Sequence, residues 1–432
     1  MPVYSSQINV NDDYPTIKPS LNLVCAKSKS LDPRVQFSRA SAATCIGPTG
    51  FVEDVGTNQP RFDHDPVTGE SLGLLVEKGR TNIWHNSDIK QGHSSSWQYG
   101  SWDNGTYTPS TGTQLLPDGS TGNCLSIAKA ASGSGAADWH QGSANSGYLA
   151  NKRYCVSIWA KGQGQFYFNT QGSVGSASSN AWQVIQTNST NGGTSRTMSL
   201  TSDWKRHWVM FDTHATESLG YFYFNGTGQT AGTTAYFWGG QVEELGGKGT
   251  SVYGGPSSFI RTVGANVTRQ TDQLTIPQKE LDTFFNWEEG TFVAEASRAK
   301  HGTQANGIVA MNNGTSTYQN MIVLYEAYDT NGSVGRIYVG GNGTFGPGHN
   351  VVSDFDTFNT VAFGYKTDDC ASSVNGDAPQ TGSSVVLPDK ANISMMKIMR
   401  GYGDLAYHGR LKYLRYYPKK LSNATIQLLS TN

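Results

Sequence analysis

Residues 154–172 read YCVSIWAKGQGQFYFNTQG, two runs in which apolar and polar side chains alternate, parted by glycines. Alternation at every second residue marks a strand with one face buried, because successive side chains leave a pleated backbone on opposite sides. The pattern repeats outward: RTMSLTSDWKRHWVMFDTHA at 196–215, GYFYFNGTG at 220–228 and TAYFWGGQVEEL at 234–245. Each run is bounded by Gly, Asn or Ser, and at least five such strands at short spacing predict a β-sandwich.

Composition points the same way. Among 432 residues there are 51 glycines, 11% aromatic and only 15% charged residues, a mix that favours strands and turns over helices. The expected class is all-β. A chain of this length can bury two or three cores without metal or disulfide staples. The net charge of −1 argues against a polyanion-binding surface, so nucleic acid is not an expected partner. Cys25, Cys45, Cys124, Cys155 and Cys370 show no CxxC spacing; an odd, scattered set reads as buried thiols. The N-terminal segment lacks the basic-then-apolar pattern of a signal peptide, and no apolar run reaches membrane-spanning length. A soluble chain made in the cytoplasm, with no membrane insertion, is the expectation. Nine N-x-S/T triplets occur, most of them Asn-Gly pairs, which turn chemistry explains without glycans.

Along the chain, the first 20 or so residues are polar and carry Pro2, Pro15 and Pro19, an extended arm suited to docking on a neighbour. Short apolar runs from Leu21 to Trp84, broken by GPTG and DPVTG, predict a small β-rich module over 1–84. Residues 85–135 are poor in apolar residues and read as aromatic-bearing loops; with the strands above they make a second unit over 85–275. Its last part, GGKGTSVYGGPSSFIRTVGANVTRQTDQLTI, reads as a linker or a strand-swapping edge. From Phe284 a second set of alternating strands begins, including a hairpin about Asn331-Gly332. It closes with LKYLRYYPKKLSNATIQLLS, where Ser422 or Asn423 could cap a short helix after Pro418. This third unit covers 276–432.

The most chemical-looking segment is RFDHDPVTGESLGLLVEKGRTN at 61–82, which sets Asp63, His64 and Asp65 side by side with Glu70 and Glu77 downstream. Adjacent strand residues point to opposite faces, so three consecutive ligands rarely converge on one ion. Asp65-Pro66-x-x-Gly69 reads as a turn feeding a strand whose Leu72, Leu74 and Val76 share a face. Glycoside hydrolysis needs two facing carboxylates. Glu288, Glu289 and Glu295 are the nearest candidates, but no E-x-D-x-x-E pattern follows, and Glu295 is expected to pair with Arg298 or a neighbouring strand. No G-x-S-x-G, HExxH, phosphate loop or dinucleotide fingerprint occurs, so no catalytic residue is assigned and the chain is not expected to be an enzyme. Asp329-Thr-Asn331-Gly332 resembles half a calcium loop but lacks the downstream Glu; structural calcium is considered, and no cofactor or metal is predicted. Trp97, Trp102, Trp139 and Trp182 lie in strand-poor sequence and could stack on sugar rings, with packing or subunit contact as the alternative. Trp159, Trp204, Trp208 and Trp238 read as core.

One longer likeness remains. FSRASAATCIGPTGFVEDVGTNQPRFDHDPVTGESLGLLVEKGRTNIW resembles the N-terminal module of tailed-bacteriophage virion proteins of the tail, tail-fibre or head-appendage type. The matching residues are Ser38-Arg39-Ala40-Ser41, Asn58 to Gly69, Gly73 to Glu77 and Arg80-Thr81-Asn82, within a stretch of roughly 30–84. Trp238-Gly239-Gly240-Gln241-Val242-Glu243 followed by Lys248-Gly249-Thr250-Ser251, and the later VTRQTDQL, look like the carbohydrate-binding-module-like jelly roll that follows in those proteins. Val252 departs from the pattern, which places an aromatic there. Ser373-Val374-Asn375-Gly376 and the closing segment from Gly409 to Ala424 resemble concanavalin-like, laminin-G-like sandwiches. The resemblance implies a virion structural protein, assembled with other virion proteins and with itself as a homotrimer, contacting a host-surface glycan. A capsid decoration, cement or head-fibre protein without glycan binding, and a polysaccharide-degrading enzyme, are the alternatives from other classes.

Overall fold

In a computed structural model the described residues are 17–89, 98–101, 107–132, 137–140, 149–172, 183–187, 196–213, 220–248, 255–298, 306–312, 321–329, 332–340, 345–350, 357–400 and 408–431. The chain is all-β; its described residues form four large or medium sheets arranged as two sandwiches, with short helices. Among the described residues no helix is long and apolar enough to cross a membrane.

The first sandwich pairs a six-stranded sheet with a five-stranded one. The larger runs Gln183–Thr187, Lys205–Asp212, Lys152–Lys161, Thr234–Gly247, Thr121–Lys129, Tyr107–Leu115; the smaller runs Thr197–Ser199, Gln165–Gly172, Gly220–Asn225, Ala137–His140, Gln98–Ser101. Tyr154, Val156, Ile158 and Ala160 on one side meet Phe166, Phe168 and Met198 on the other, and Phe166 sets its edge against Phe237 with centroids 4.9 Å apart. That edge-to-face contact is the preferred geometry for two aromatic rings. The outer face of Lys152–Lys161 is covered as well: Trp159 packs with Val52, Trp238 and Phe259, and Cys155 with Met210 and Leu245. A strand buried on both faces therefore hides Ser157, which sequence alternation alone would turn to water.

Residues 107–129, expected as loop, form a hairpin of two nine-residue strands in register from Tyr107↔Lys129 to Leu115↔Thr121. It lies at the sheet edge, where Tyr107, Leu125 and Ile127 reach the core between the sheets and Cys124 reaches the cluster on the other face. An edge hairpin needs few apolar side chains because its ladder comes from the backbone. Ser, Gly and Thr content concealed it.

The second sandwich is built from both ends of the chain. Its eight-stranded sheet runs Gln380–Gly382, Asp369–Val374, Phe358–Lys366, Glu289–Arg298, Gly409–Tyr417, Ser71–Val76, Arg61–His64, with Leu21–Leu23 also on Gly409–Tyr417. Its seven-stranded sheet runs Gln36–Ser38, Gln273–Pro277, Met395–Ile398, Asn306–Asn312, Met321–Asp329, Gly332–Gly340, Phe345–Asn350. Leu21, Leu23, Leu74 and Val76 thus share one core with Phe292, Phe363, Leu411 and Tyr416. Apart from the small hairpin Ala43–Ile46 with Val52–Val55 and the pairing of Arg80–Asn82 with Val267–Arg269, the strands within 1–84 extend these two sheets. The strands flanking Asn331-Gly332 pair as the expected hairpin, from Met321↔Gly340 to Asp329↔Gly332, with Asn331 itself outside the described residues. Val374–Asp377 turns through Asn375 and Gly376, both at positive φ, as a type I′ turn requires, within the connection from Asp369–Val374 to Gln380–Gly382. Asn423–Leu429 forms the expected closing helix, and Ser422 Oγ caps it by accepting from Thr425 N at 3.2 Å. All five cysteines are buried free thiols.

Candidate functional site

The segment 61–82 folds as a turn between the strands Arg61–His64 and Ser71–Val76. Asp65 Oδ1 accepts from Val67 N and Thr68 N at 2.8 and 2.7 Å, and Gly69 N donates to Asp65 O at 2.9 Å. Asp63, on Arg61–His64, accepts from Ile46 N at 2.8 Å and from Arg410 Nε at 2.7 Å. His64 Nδ1 lies 3.0 Å from Ile46 O. Each of the three polar side chains is committed to partners within the fold: Asp63 to Ile46 N and Arg410, His64 to Ile46 O, and Asp65 to its own turn. Among the described residues no group of three or more His, Cys, Asp or Glu is placed to hold a metal ion.

Glu77, the last acid of that segment, sits in a buried ionic lock that strand register assembles. Ser38 pairs with Gln273, which brings the following Arg39 beside the preceding Asp272; Val76 pairs with Gly409, which brings Glu77 beside His408. Arg39 reaches Asp272 Oδ1 at 3.0 Å and also donates to the carbonyls of Ser41, Gly56 and Gln59. Arg61 bridges the two acids, donating to Glu77 Oε2 at 2.6 Å and to Asp272 Oδ2, and it reaches Thr44 O and Ser258 Oγ as well. Arg269 lies 3.5 Å and His408 3.3 Å from the Glu77 carboxylate. Ser258 donates to it from both N and Oγ, at 2.8 and 2.6 Å. Burial pushes the Glu77 carboxyl up, but Arg269, Arg61 and His408 outweigh burial and hold it well below the usual carboxylate range. Burial pushes His408 down to about 4 against the pull of Glu77, with Arg80, Arg269 and Arg410 adding to the fall.

A second set of polar groups fastens the chain between the sandwiches. Described from residue 255, it is a buried strap where composition reads as linker. Asn82 uses both ends of its amide: Nδ2 donates to Gly240 O and Ile260 O, and Oδ1 accepts from Trp84 N and Val242 N. Gln241 Oε1 accepts from Ile260 N at 2.7 Å, and Glu243 accepts from Ser257 N at 2.9 Å and from Ser257 Oγ. Thr44 Oγ1 donates to Phe259 O at 2.6 Å. The Ser and Thr content that suggests flexibility supplies the hydroxyls and amides that satisfy these buried acceptors.

Between lock, strap and first sandwich lies a cleft of about 290 Å³. Half-buried Trp208 and Ile46 and buried Phe259 give it apolar wall, and Arg206, Arg410, His408, Asp63 and Glu77 give it polar wall. Arg206 stacks its guanidinium 4.4 Å from the Trp159 ring centroid and donates to Ser257 O at 2.8 Å and Ser157 Oγ at 3.0 Å. Burial lowers this cation to about 10, with Glu243 opposing the fall.

The residues singled out for chemistry are not gathered here. Trp97, Trp102 and Trp182 lie outside the described residues. Trp139 is on the strand Ala137–His140, with Tyr99 and Phe224 as register partners. Glu289 accepts from Lys420 N at 3.1 Å, and Glu295 pairs with Lys412 at 3.1 Å, on the neighbouring strand. Glu289 and Glu295 stand six residues apart on one strand, about 20 Å at ~3.3 Å per residue, well beyond the roughly 5–10 Å that glycoside hydrolysis uses. Trp159 and Trp238 are core, and Trp204 and Trp208 are half-buried against it. The lock itself was missed; its available signal is charge inside apolar strand sequence, as in Leu74-Leu75-Val76-Glu77.

No protein-family model matches the sequence, and no curated protein matches it. Among solved structures the chain is similar to the CBM40 of Ruminococcus gnavus IT-sialidase bound to α2,3-sialyllactose, at 16% identity and TM-score 0.29 over 34% of this chain and 86% of that one. It is also similar to domain 4 of an extracellular arabinanase from Geobacillus stearothermophilus in complex with arabinotriose, at 12% identity and TM-score 0.29 over 42% and 86%. Trypanosoma rangeli sialidase is matched at 19% identity and TM-score 0.28, over 37% of this chain and 26% of that one. The functional weight stays with the junction's own side chains.

Proposed function

We propose that the chain is a structural protein of a tailed-phage particle, a tail-fibre or appendage component that contributes to attachment at the host surface through glycans. One observation carries the reading. The residues that give the sequence its likeness to virion proteins, Arg39, Arg61, Glu77 and Asn82, all serve in the buried lock and strap that fasten the two sandwiches together. A signature devoted to rigidity suits a load-bearing spacer. Glu77 stays ionised with both oxygens occupied and His408 stays neutral, so neither is poised to shuttle a proton near neutrality; this supports a non-catalytic role. In this reading Trp97, Trp102, Trp139 and Trp182 stack on sugar, and a homotrimer raises weak single-site affinity through multivalency.

Gold-labelled antibody to the chain tests the first part: label at the tail or an appendage is expected, and label spread over the capsid shell would replace attachment with decoration. A glycan array probed with the assembled oligomer tests the second. A flat array at high valency would remove the glycan role.

A further inference from the structure

Three cations lie over aromatic rings on the outer face of the six-stranded sheet, and two of them have acceptors in the protein. Arg206, over Trp159, donates to Ser257 O and Ser157 Oγ. Arg261, over Trp238 and Phe259, donates to Asp118. Lys161 is the third. It follows Trp159 by two residues and so shares its face, with Tyr236 as its register partner on one side and Trp204, next to the Ala160↔Lys205 pair, on the other. Its Nζ lies 5.1 Å from the Trp204 ring centroid and 5.6 Å from that of Tyr236. Among the described residues it has neither a carboxylate at ion-pair distance nor a hydrogen-bond acceptor.

Both rings are half-buried and held in place. Trp204 Nε1 donates to Leu115 O at 2.7 Å, and Tyr236 lies along Gly112, where a Cβ would come within 2.9 Å of its Cε1. Leu115, 52% exposed, adds apolar surface beside Trp204. Rings fixed in this way lose little freedom on binding. A pyranose sets its C–H face on such rings and offers hydroxyl oxygens to a donor beside them, and an ammonium carries three donors. Charge does not choose the sugar. Asp203 and Lys205 flank Trp204 with opposite signs, two ring faces already offset part of the ammonium charge, and an ion pair open to water changes affinity by at most about fivefold.

We propose that Trp204, Lys161 and Tyr236 form a platform that binds a neutral hexopyranoside, its ring against the aromatic faces and a hydroxyl oxygen accepting from Lys161 Nζ. The platform is separate from Trp97, Trp102, Trp139 and Trp182. It rests on the host-glycan reading above and gives that reading a substrate class.

Full-length protein applied to immobilised glucosides, galactosides and mannosides, beside the matching glucuronides and galacturonides, tests it. At least one neutral hexoside is expected to be retained, with its uronide no more than about fivefold tighter. Lys161→Met and Tyr236→Leu are each expected to weaken retention by about tenfold. Met keeps the apolar stem that Lys161 lays between the rings, so this variant is chosen to fold; unchanged thermal melts confirm it for both. Gly112→Ala, which displaces the Tyr236 ring while removing no binding group, should weaken retention in the same direction. Retention of uronides alone would overturn the neutral class. Retention of a hexoside unchanged in Lys161→Met and Tyr236→Leu would remove this platform and leave the host-glycan reading standing, whereas a wild-type chain that binds none of these sugars and no arrayed glycan would remove both.

Discussion

Glu77 stands among Arg61, Arg269, His408 and Ser258 with no exposed edge, so its charge matters more than its shape. Glu77→Gln keeps the volume, takes the carboxylate from Arg269 and leaves Arg61 with Asp272 alone; removal of one member of a buried ion pair costs about 3–5 kcal/mol. A urea denaturation midpoint lowered accordingly is the expected result. His64→Ala, by contrast, gives up one hydrogen bond to Ile46 O, a loss of about 1–3 kcal/mol, and host binding should persist. Gly73 is the third informative position, at φ +87 and with Leu411 O inside van der Waals distance of where a Cβ would sit. Gly73→Ala should lower the yield of folded protein, and a soluble, normally melting variant would contradict the geometry. The Asp65 turn was legible because its partners lie within five residues. The role of Glu77 was not, because Ser258, Arg269, Asp272 and His408 are 181 to 331 residues away and nothing local announces them.

At the scale of elements, legibility followed burial on one face. Strands such as Thr234–Gly247 and the closing helix were readable because alternation and a Ser cap are local signals. The hairpin 107–129 and the strap from 255 were not, since an edge ladder and a hydroxyl-satisfied strap both carry the composition of a loop. The strap makes the sharper test. Ser257 and Ser258 supply donors to the Glu243 and Glu77 carboxylates, and loss of a side-chain donor to a buried charge costs about 1–3 kcal/mol. Ser257→Ala combined with Ser258→Ala should therefore speed amide exchange at Phe259 and Ile260 while leaving exchange in Met395–Ile398 slow. Uniform exchange across both would show that the strap is not a locally held element. Ser422→Ala should cost about 1 kcal/mol through loss of the helix cap, measurable as a small fall in melting temperature.

For the whole molecule, the lock ties residues 39–77, 258–272 and 408 into one buried cluster, and Asn82 and the strap join that cluster to Gly240–Glu243 of the first sandwich, so both sandwiches should unfold in a single cooperative transition near neutral pH. Acid should weaken that transition with a definite sign. His207 and His408 are held down to about 3 and about 4, chiefly by burial, from 6.5. The unfolded chain therefore takes up these protons first, and the native state loses stability as pH falls below about 6.5. At ~1.4 kcal/mol for each pH unit separating the folded from the unfolded value, His408 alone contributes on the order of 3 kcal/mol, fully present above the unfolded value and gone by about pH 4. Glu77, depressed by its cations, adds loss of the same sign below the carboxylate range. Urea midpoints should thus be level from pH 8 to 7 and fall steadily from 6.5 downward. A His207→Gln, His408→Gln double variant should stay level until about pH 4.5, where carboxylates begin to protonate. If the wild type shows no fall before pH 4.5, the two histidines are not buried neutral in the native protein. If instead two separate transitions appear at pH 7, the lock does not couple the sandwiches, and the rigidity on which a load-bearing role depends is lost with it.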